Sequence, residues 1–197
     1  MTLRRELLVG CATALAGCSL LPEEPEPAED SAVAPATLPE SAGYERTLAE
    51  EPTIETTVDV DLSGDVEVSS QRDVVATVFR RVYEAPTGER FGLVTAPAVR
   101  VFENPEVVRD PVTSLDDDRV LELTTDLDVG GVGEYEPAGA ATLLSTETDR
   151  GVATAPLDGA DARVVLLRVR AGEDSVTAVG VDPDDVDHPF GDVVRDA

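Results

Sequence analysis

Residues 162–181 read Ala-Arg-Val-Val-Leu-Leu-Arg-Val-Arg, then Ala-Gly-Glu-Asp, then Ser-Val-Thr-Ala-Val-Gly-Val. Two valine-rich runs flank a short break that carries a glycine. So short a link cannot take the chain across to a parallel neighbour, so the pair predicts an antiparallel hairpin. The run at 162–170 is the strongest strand signal in the chain.

The same pattern recurs upstream. Thr57-Val-Asp-Val-Asp-Leu62 alternates apolar and polar residues, the mark of a half-buried strand. Ser63-Gly64-Asp65 signals a turn, and Val66 and Val68 lead into a strand over 74–83. In that run Val74, Val78 and Val82 fall on one face and Val75 and Phe79 on the other. Pro86-Thr87-Gly88 predicts a hairpin turn, 90–95 the returning strand, and 99–102 its continuation past a bend at Pro97. Strands are also predicted over 140–145 and 151–157, on either side of a Thr-Asp-Arg-Gly turn.

Helical signals are few. Ser114 is placed to cap a helix over 115–123, with Asp116, Asp117 and Asp118 in the first turn, where acids complement the helix dipole. Pro183 ends the last strand, and Asp184 is placed to cap a short helix reaching Val194. No β-α-β alternation is present. The expected class is therefore α+β, a mainly antiparallel sheet with one or two packed helices.

The N-terminus has a different character. Arg4 and Arg5 precede ten mostly apolar residues that end at Leu15-Ala16-Gly17-Cys18. Ten residues are too few to cross a hydrocarbon core about 30 Å thick. A basic start, a short apolar stretch and small residues before a cut site are the parts of a secretory signal. With Cys18 following Leu15, Ala16 and Gly17, the stretch resembles a lipobox, the signal of prokaryotic lipoproteins. That resemblance implies cleavage before Cys18 and a lipid on its thiol. Arg4-Arg5 followed by Glu6, Leu7 and Leu8 is similar to a twin-arginine export signal. Residues 1–17 are then a signal peptide, 18–43 an acidic, proline-rich tether extended by proline and like charge, and 44–197 one globular domain.

Charge bears on the solvent. The chain of 197 residues has 15 basic groups against 41 acidic ones, a formal charge of −26, and every basic residue is arginine. Loss of residues 1–17 leaves 13 basic and 40 acidic groups, a charge of −27. Such self-repulsion strains a compact state in dilute buffer. At molar salt the Debye length falls to about 3 Å and most of the repulsion goes. A disordered acidic chain would lack aliphatic residues, yet 42% of this one is hydrophobic. The pattern is that of a folded protein with a halophilic surface. Nothing resembles the basic stripe of a nucleic-acid binder, so no nucleic-acid partner is expected.

Catalytic signatures are missing from the sequence. No GxGxxG, GxxxxGK[ST], GxSxG or HExxH occurs. Gly130-Gly131-Val132-Gly133 lacks the lysine of a phosphate loop. Cys11 lies in the signal and Cys18 is expected to be lipidated, so no thiol remains for catalysis or zinc. The one histidine, His188 in Asp-His-Pro, reads as a surface-loop residue. Asp59, Asp61 and Asp65, with Gly64 sixth, match half of a calcium loop, but Ser70 stands where its bidentate glutamate belongs; a hairpin is the better reading. Asp116–118 and Asp182, Asp184, Asp185 and Asp187 read as solvated acids. Arg80, Arg81, Arg163, Arg168 and Arg170 read as cations lying over the sheet and pairing with acids. No catalytic residue, metal or cofactor is assigned.

The strand order around 74–84 and 91–102, Asn104-Pro105, and the hairpin ending Ala178-Val-Gly-Val-Asp-Pro183 before a short helix is similar to a family of haloarchaeal secreted lipoproteins of unknown function. The order also resembles a PsbP-like sandwich, an antiparallel sheet with helices packed on it. Neither resemblance implies a catalytic residue. The expectation is a non-enzymatic binding or assembly module, lipid-anchored at the extracellular face of the cell membrane, with a protein or cell-surface partner. The alternative is a solute-capture or hydrolytic surface protein.

Overall fold

The structure is a computed structural model that describes residues 27–62, 68–103, 106–182 and 187–196. The chain enters through β1 (Ala28–Ser31) and β2 (Ala36–Thr37), then runs through β3 (Glu45–Glu50) and β4 (Thr53–Leu62). β5 (Val68–Thr77) and β6 (Phe79–Glu84) return antiparallel, β5 along β4 and β6 along β3. A hairpin leads to β7 (Arg90–Pro97), and a small hairpin follows, β8 (Val99–Glu103) with β9 (Glu106–Arg109). A 3-10 turn over Pro111–Ser114 precedes helix α1 (Asp117–Thr125). Four meandering strands come next: β10 (Glu136–Leu143), β11 (Thr146–Leu157), β12 (Ala160–Ala171) and β13 (Asp174–Asp182). A 3-10 turn over Phe190–Asp192 and β14 (Val194–Arg195) complete the described chain.

Seven strands form one antiparallel sheet in the order β10-β11-β12-β13-β7-β6-β3. A second sheet has the order β1-β5-β4, with β1 parallel to β5. The two sheets share a ribbon. The pair β3/β6 in the large sheet continues as β4/β5 in the small one, and the ribbon bends where Val78 N–H donates to the Pro52 carbonyl at 3.0 Å. Proline cannot donate to a ladder, so a bend falls there at little cost. The bent half brings Ile54, Val58, Val60, Val74 and Ala76 against Val94, Ala96, Val120 and Leu123. Helix α1 lies on the same side. Its last turn crosses β7 at Gly92, where a Cβ would stand 1.8 Å from the Thr124 carbonyl oxygen.

The opposite face of the large sheet is closed by the two ends of the described chain. Ala36 and Leu38 from one end and Phe190 and Val193 from the other cover Phe91, Leu93, Leu167, Val176 and Ala178. A fully buried valine or leucine stabilises by roughly 1.5–3 kcal/mol relative to an exposed one. Two apolar layers on one sheet give the domain its cohesion.

The observed class is the expected one, mainly antiparallel α+β. Several boundaries differ. Residues 28–43, read as tether, belong to the domain: β1 pairs with β5, β2 pairs with β14, and Ala36 and Leu38 are core residues. The run 74–83 is two strands in two sheets, divided at Val78. The helix begins at Asp117 after an Asp116 cap rather than at Leu115, because Pro111–Ser114 forms its own 3-10 turn. The β10–β11 turn sits at Leu144-Ser145, both at positive φ (51° and 62°), and Thr-Asp-Arg-Gly lies inside β11. In place of a C-terminal helix to Val194 stand a 3-10 turn and β14; residues 183–186 are outside the described chain.

Candidate functional site

Strand β13 is the spine of the large sheet, buried along its whole length, and it begins and ends on a buried carboxylate. Asp174 and Asp182 are each 1% exposed. A buried charge must be paired or it shifts its protonation. Both are met by the C-terminal segment, which runs back across the sheet.

At the Asp182 end, His188 Nε2 lies 2.7 Å from Asp182 Oδ2, and Arg163 Nη1 lies 3.6 Å from the same oxygen. The ring of His188 is buried. It stacks over Phe91 with centroids 6.3 Å apart and meets Phe190 edge-on at 5.9 Å. It fits there because residue 180 is glycine: a Cβ would stand 2.2 Å from His188 Cδ2. Burial pulls the His188 pKa below its ordinary value, against the hydrogen bond to Asp182, which acts to raise it. The ring is then neutral near pH 7 and donates its one proton from Nε2 to the carboxylate. Nδ1 is left as a buried acceptor without a hydrogen-bond partner among the described residues. His188 is thus a core residue, not the surface-loop residue expected from Asp-His-Pro. The glycine inside a run of β-branched residues was the available signal, since a strand glycine marks close approach by another group.

A cleft of about 160 Å³ opens beside this cluster, lined by Thr142, Arg150, Arg163, Asp187, His188 and Gly191 among others. Arg150 stands on β11 with Nε and Nη2 both donating to the Ala138 carbonyl, at 3.0 and 2.7 Å. That carbonyl is available because β10 breaks register between Pro137 and Ala140. Arg150 has no carboxylate partner among the described residues.

At the Asp174 end the partners are a guanidinium and a backbone amide. Asp174 pairs with Arg195 and accepts from Val33 N–H, 3.1 Å from each of its oxygens. Arg195 also donates to the Ala171 carbonyl at 2.7 Å and the Ala34 carbonyl at 2.8 Å. The segment before β3 is stitched down by Ala36 N–H to Thr95 Oγ1 at 2.8 Å and Leu38 N–H to the Tyr83 hydroxyl at 3.0 Å.

The remaining residues singled out in the sequence have structural places. Arg80 donates to the Leu123 and Glu122 carbonyls at 2.6 and 3.0 Å and pairs with Asp126 at 2.7 Å, closing the C-terminus of α1 where a cation suits the dipole. Arg81 lies over the Phe79 ring at 5.6 Å and donates to the Glu50 carbonyl. Arg170 reaches the Gly172 carbonyl at 3.5 Å, and Arg168 Nε is buried without a hydrogen bond among the described residues. Asp117 and Asp118 occupy the first turn of α1. Gly130 and Gly133 donate backbone N–H groups to the Pro156 and Thr154 carbonyls, extending the sheet at β11. Asp59 lies in the β4–β5 ladder and accepts from Gln71 at 3.0 Å, as the hairpin reading requires. Arg4, Arg5, Leu15, Ala16, Gly17, Cys18, Asp65, Asp184 and Asp185 lie outside the described residues. No helix among the described residues is long and apolar enough to cross a membrane.

No curated protein and no solved structure matches the chain. The PsbP-like resemblance rests on strand order alone. Residues 31–195 match the family described as a domain of unknown function, DUF6517. The match starts within β1 and ends within β14, so it takes in both segments that close the face bearing His188 and Arg195. This chain belongs to the DUF6517 family.

Proposed function

We propose that the protein is a lipid-anchored, extracytoplasmic binding module of halophilic type, held at the outer face of the cell membrane and without catalytic activity. The observation that carries this is Leu15-Ala16-Gly17-Cys18 after Arg4-Arg5, with β1 opening ten residues past Cys18. A spacer that short reaches about 30 Å when extended at about 3.1 Å per residue. The domain then works close to the lipid rather than far from it. The non-enzymatic part draws support from His188, the one histidine: its second ring nitrogen is buried and, among the described residues, has no hydroxyl or thiol on it. A base without a nucleophile beside it does not run acyl transfer by a covalent route.

The anchor is tested by Cys18→Ser, which releases the protein from membranes or leaves an uncut precursor. Fractionation and intact mass identical to wild type would sink the lipoprotein reading. Replacing Arg4 and Arg5 with lysine stops twin-arginine export, and unchanged export of that variant would assign the general route.

A second reading, capture of a small solute, is favoured by the cleft at Arg150 and His188, where polar groups converge on a concave surface. Its test is a saturable heat of binding to the full-length protein in molar salt.

A further inference from the structure

We propose that the cleft between β10–β12 and the C-terminal segment is an oxyanion site, taking a carboxylate or phosphate head group. The inference rests on the solute-capture reading and names the ligand class.

Cations are scarce in this molecule, with 15 basic groups among 197 residues. Two of them line one cleft of about 160 Å³ together with the Thr142 hydroxyl. Their roles differ. Arg163 sits 3.6 Å from the buried Asp182 carboxylate and offsets its charge. Among the described residues Arg150 is held by the Ala138 carbonyl alone, which takes Nε–H and one Nη2 proton. A guanidinium has five N–H donors in a planar fork. Three remain on Arg150, fixed in direction because the other two are engaged. A rigid fork with spare donors suits the two oxygens of an oxyanion and gives a charge-assisted pair. Near pH 7 the neutral His188 adds no charge to the cleft, so the charge that meets an anion there comes from the arginines.

Size limits the ligand. Pockets for drug-sized molecules run about 300–1,000 Å³. The cleft takes a head group and leaves the rest of the ligand in solvent. Asp187 on the rim is exposed and opposes an anion. Two other hollows also hold a pair of arginines, but each pair faces two carboxylates: Arg100 and Arg170 with Asp30 and Glu173, and Arg80 and Arg119 with Glu122 and Asp126. The hollow at Gly43, Glu45 and Glu84 has carboxylates as its charged lining. At molar salt the Debye length is about 3 Å, so the protein's overall negative charge is screened and only groups touching the ligand act.

The experiment is calorimetric titration of the full-length protein in molar sodium chloride with three probes: inorganic phosphate, acetate, and vesicles of an anionic phospholipid. Saturable binding of phosphate or acetate is expected. Arg150→Gln weakens it at least tenfold with an unchanged circular dichroism spectrum, and Asp187→Asn strengthens it several-fold. Tighter binding of vesicles than of free phosphate identifies a lipid head group as the source; the reverse identifies a solute. No saturation by any probe, or equal binding by wild type and Arg150→Gln, overturns the site. If Arg150→Gln is unfolded, Asp187→Asn decides alone: unchanged affinity in that variant overturns the site. Membrane fractionation of Cys18→Ser is independent of all these results, so the anchor and the cleft fail separately.

Discussion

The two ends of β13 solve one problem in different ways. Each places a carboxylate in the core, and each uses it to hold a strap of chain across the sheet. Asp174 is met by Arg195 and the Val33 amide. Asp182 is met by the His188 ring and by Arg163. The first latch uses a guanidinium that is always charged. The second relies on an imidazole whose charge is decided by pH and burial. Chemically similar anchors at opposite ends of one strand therefore respond differently to the same solvent change.

The largest expected effect is at Asp174. Asp174→Ala takes the carboxylate from Arg195, which keeps the Ala171 and Ala34 carbonyls, and the acceptor from the Val33 amide, and breaking a charge pair in this way costs about 3–5 kcal/mol. Asp182→Ala strands a neutral donor and an arginine that stands off at 3.6 Å, and about 1–3 kcal/mol is expected. Equilibrium denaturation in molar salt compares them directly. Equal losses would erase the distinction between the ends.

Gly180→Ala sharpens the same contrast from the backbone side. The new methyl group meets the His188 ring and must expel it, for about 1–3 kcal/mol. Packing at the Asp174 end should be untouched, visible as unchanged amide chemical shifts for Val33 and Ala36.

Acid distinguishes the ends by sign. The folded pKa of His188 is lowered, chiefly by burial and against its hydrogen bond to Asp182. Between that value and the ordinary 6.5 the unfolded chain binds the proton that the folded chain refuses. Stability due to this residue is full above pH 6.5 and falls as the pH drops through the window. Among the described residues the charges facing the ring are Asp182, Arg163 and Glu89. His188→Gln should flatten the slope there. Protonation of surface acids relieves self-repulsion and acts in the opposite direction, but nearer the ordinary carboxylate pKa of about 4. Asp110 is a separate case: burial raises its pKa above normal, so its cost fades as pH falls.

The smallest effect expected is at Tyr135, on the far side of the sheet from either latch. Its hydroxyl is buried and has no partner among the described residues, and burial drives its pKa upward. Tyr135→Phe removes an unsatisfied polar atom, so its stability should match wild type or exceed it slightly. A loss above about 1 kcal/mol would reveal a hidden partner, since deleting a made hydrogen bond costs about that much.

What the sequence made legible follows from how local each signal is. The Pro86-Thr87-Gly88 turn and the Gly172 turn are encoded in a few adjacent residues, and both stand where the sequence puts them. Leu144-Ser145 adopts positive φ without a glycine, so nothing in composition flags that turn. The 74–83 run looks continuous because the bend at Val78 is made by Pro52, far away in sequence. Residues 28–43 look like tether by proline and acid content, yet Ala36 and Leu38 find a groove that only the folded sheet provides. His188 was hidden for the same reason. Asp-His-Pro is a loop sequence, and its burial depends on Gly180 and Phe91 in distant strands. Arg150 was hidden because a register shift in β10, not a motif, sets its fork.

The most direct test is hydrogen exchange of the wild-type protein in molar salt, above and below the ordinary histidine pKa of about 6.5, with intrinsic rates divided out. The amides of Asp192 and Val193, bonded in the turn beyond His188, should lose protection on acidification. Those of Val33 and Ala36, bonded to Asp174 and Thr95, should keep theirs over the same range. Loss of protection at both ends together, or at neither, would contradict the account of two unlike latches on one strand.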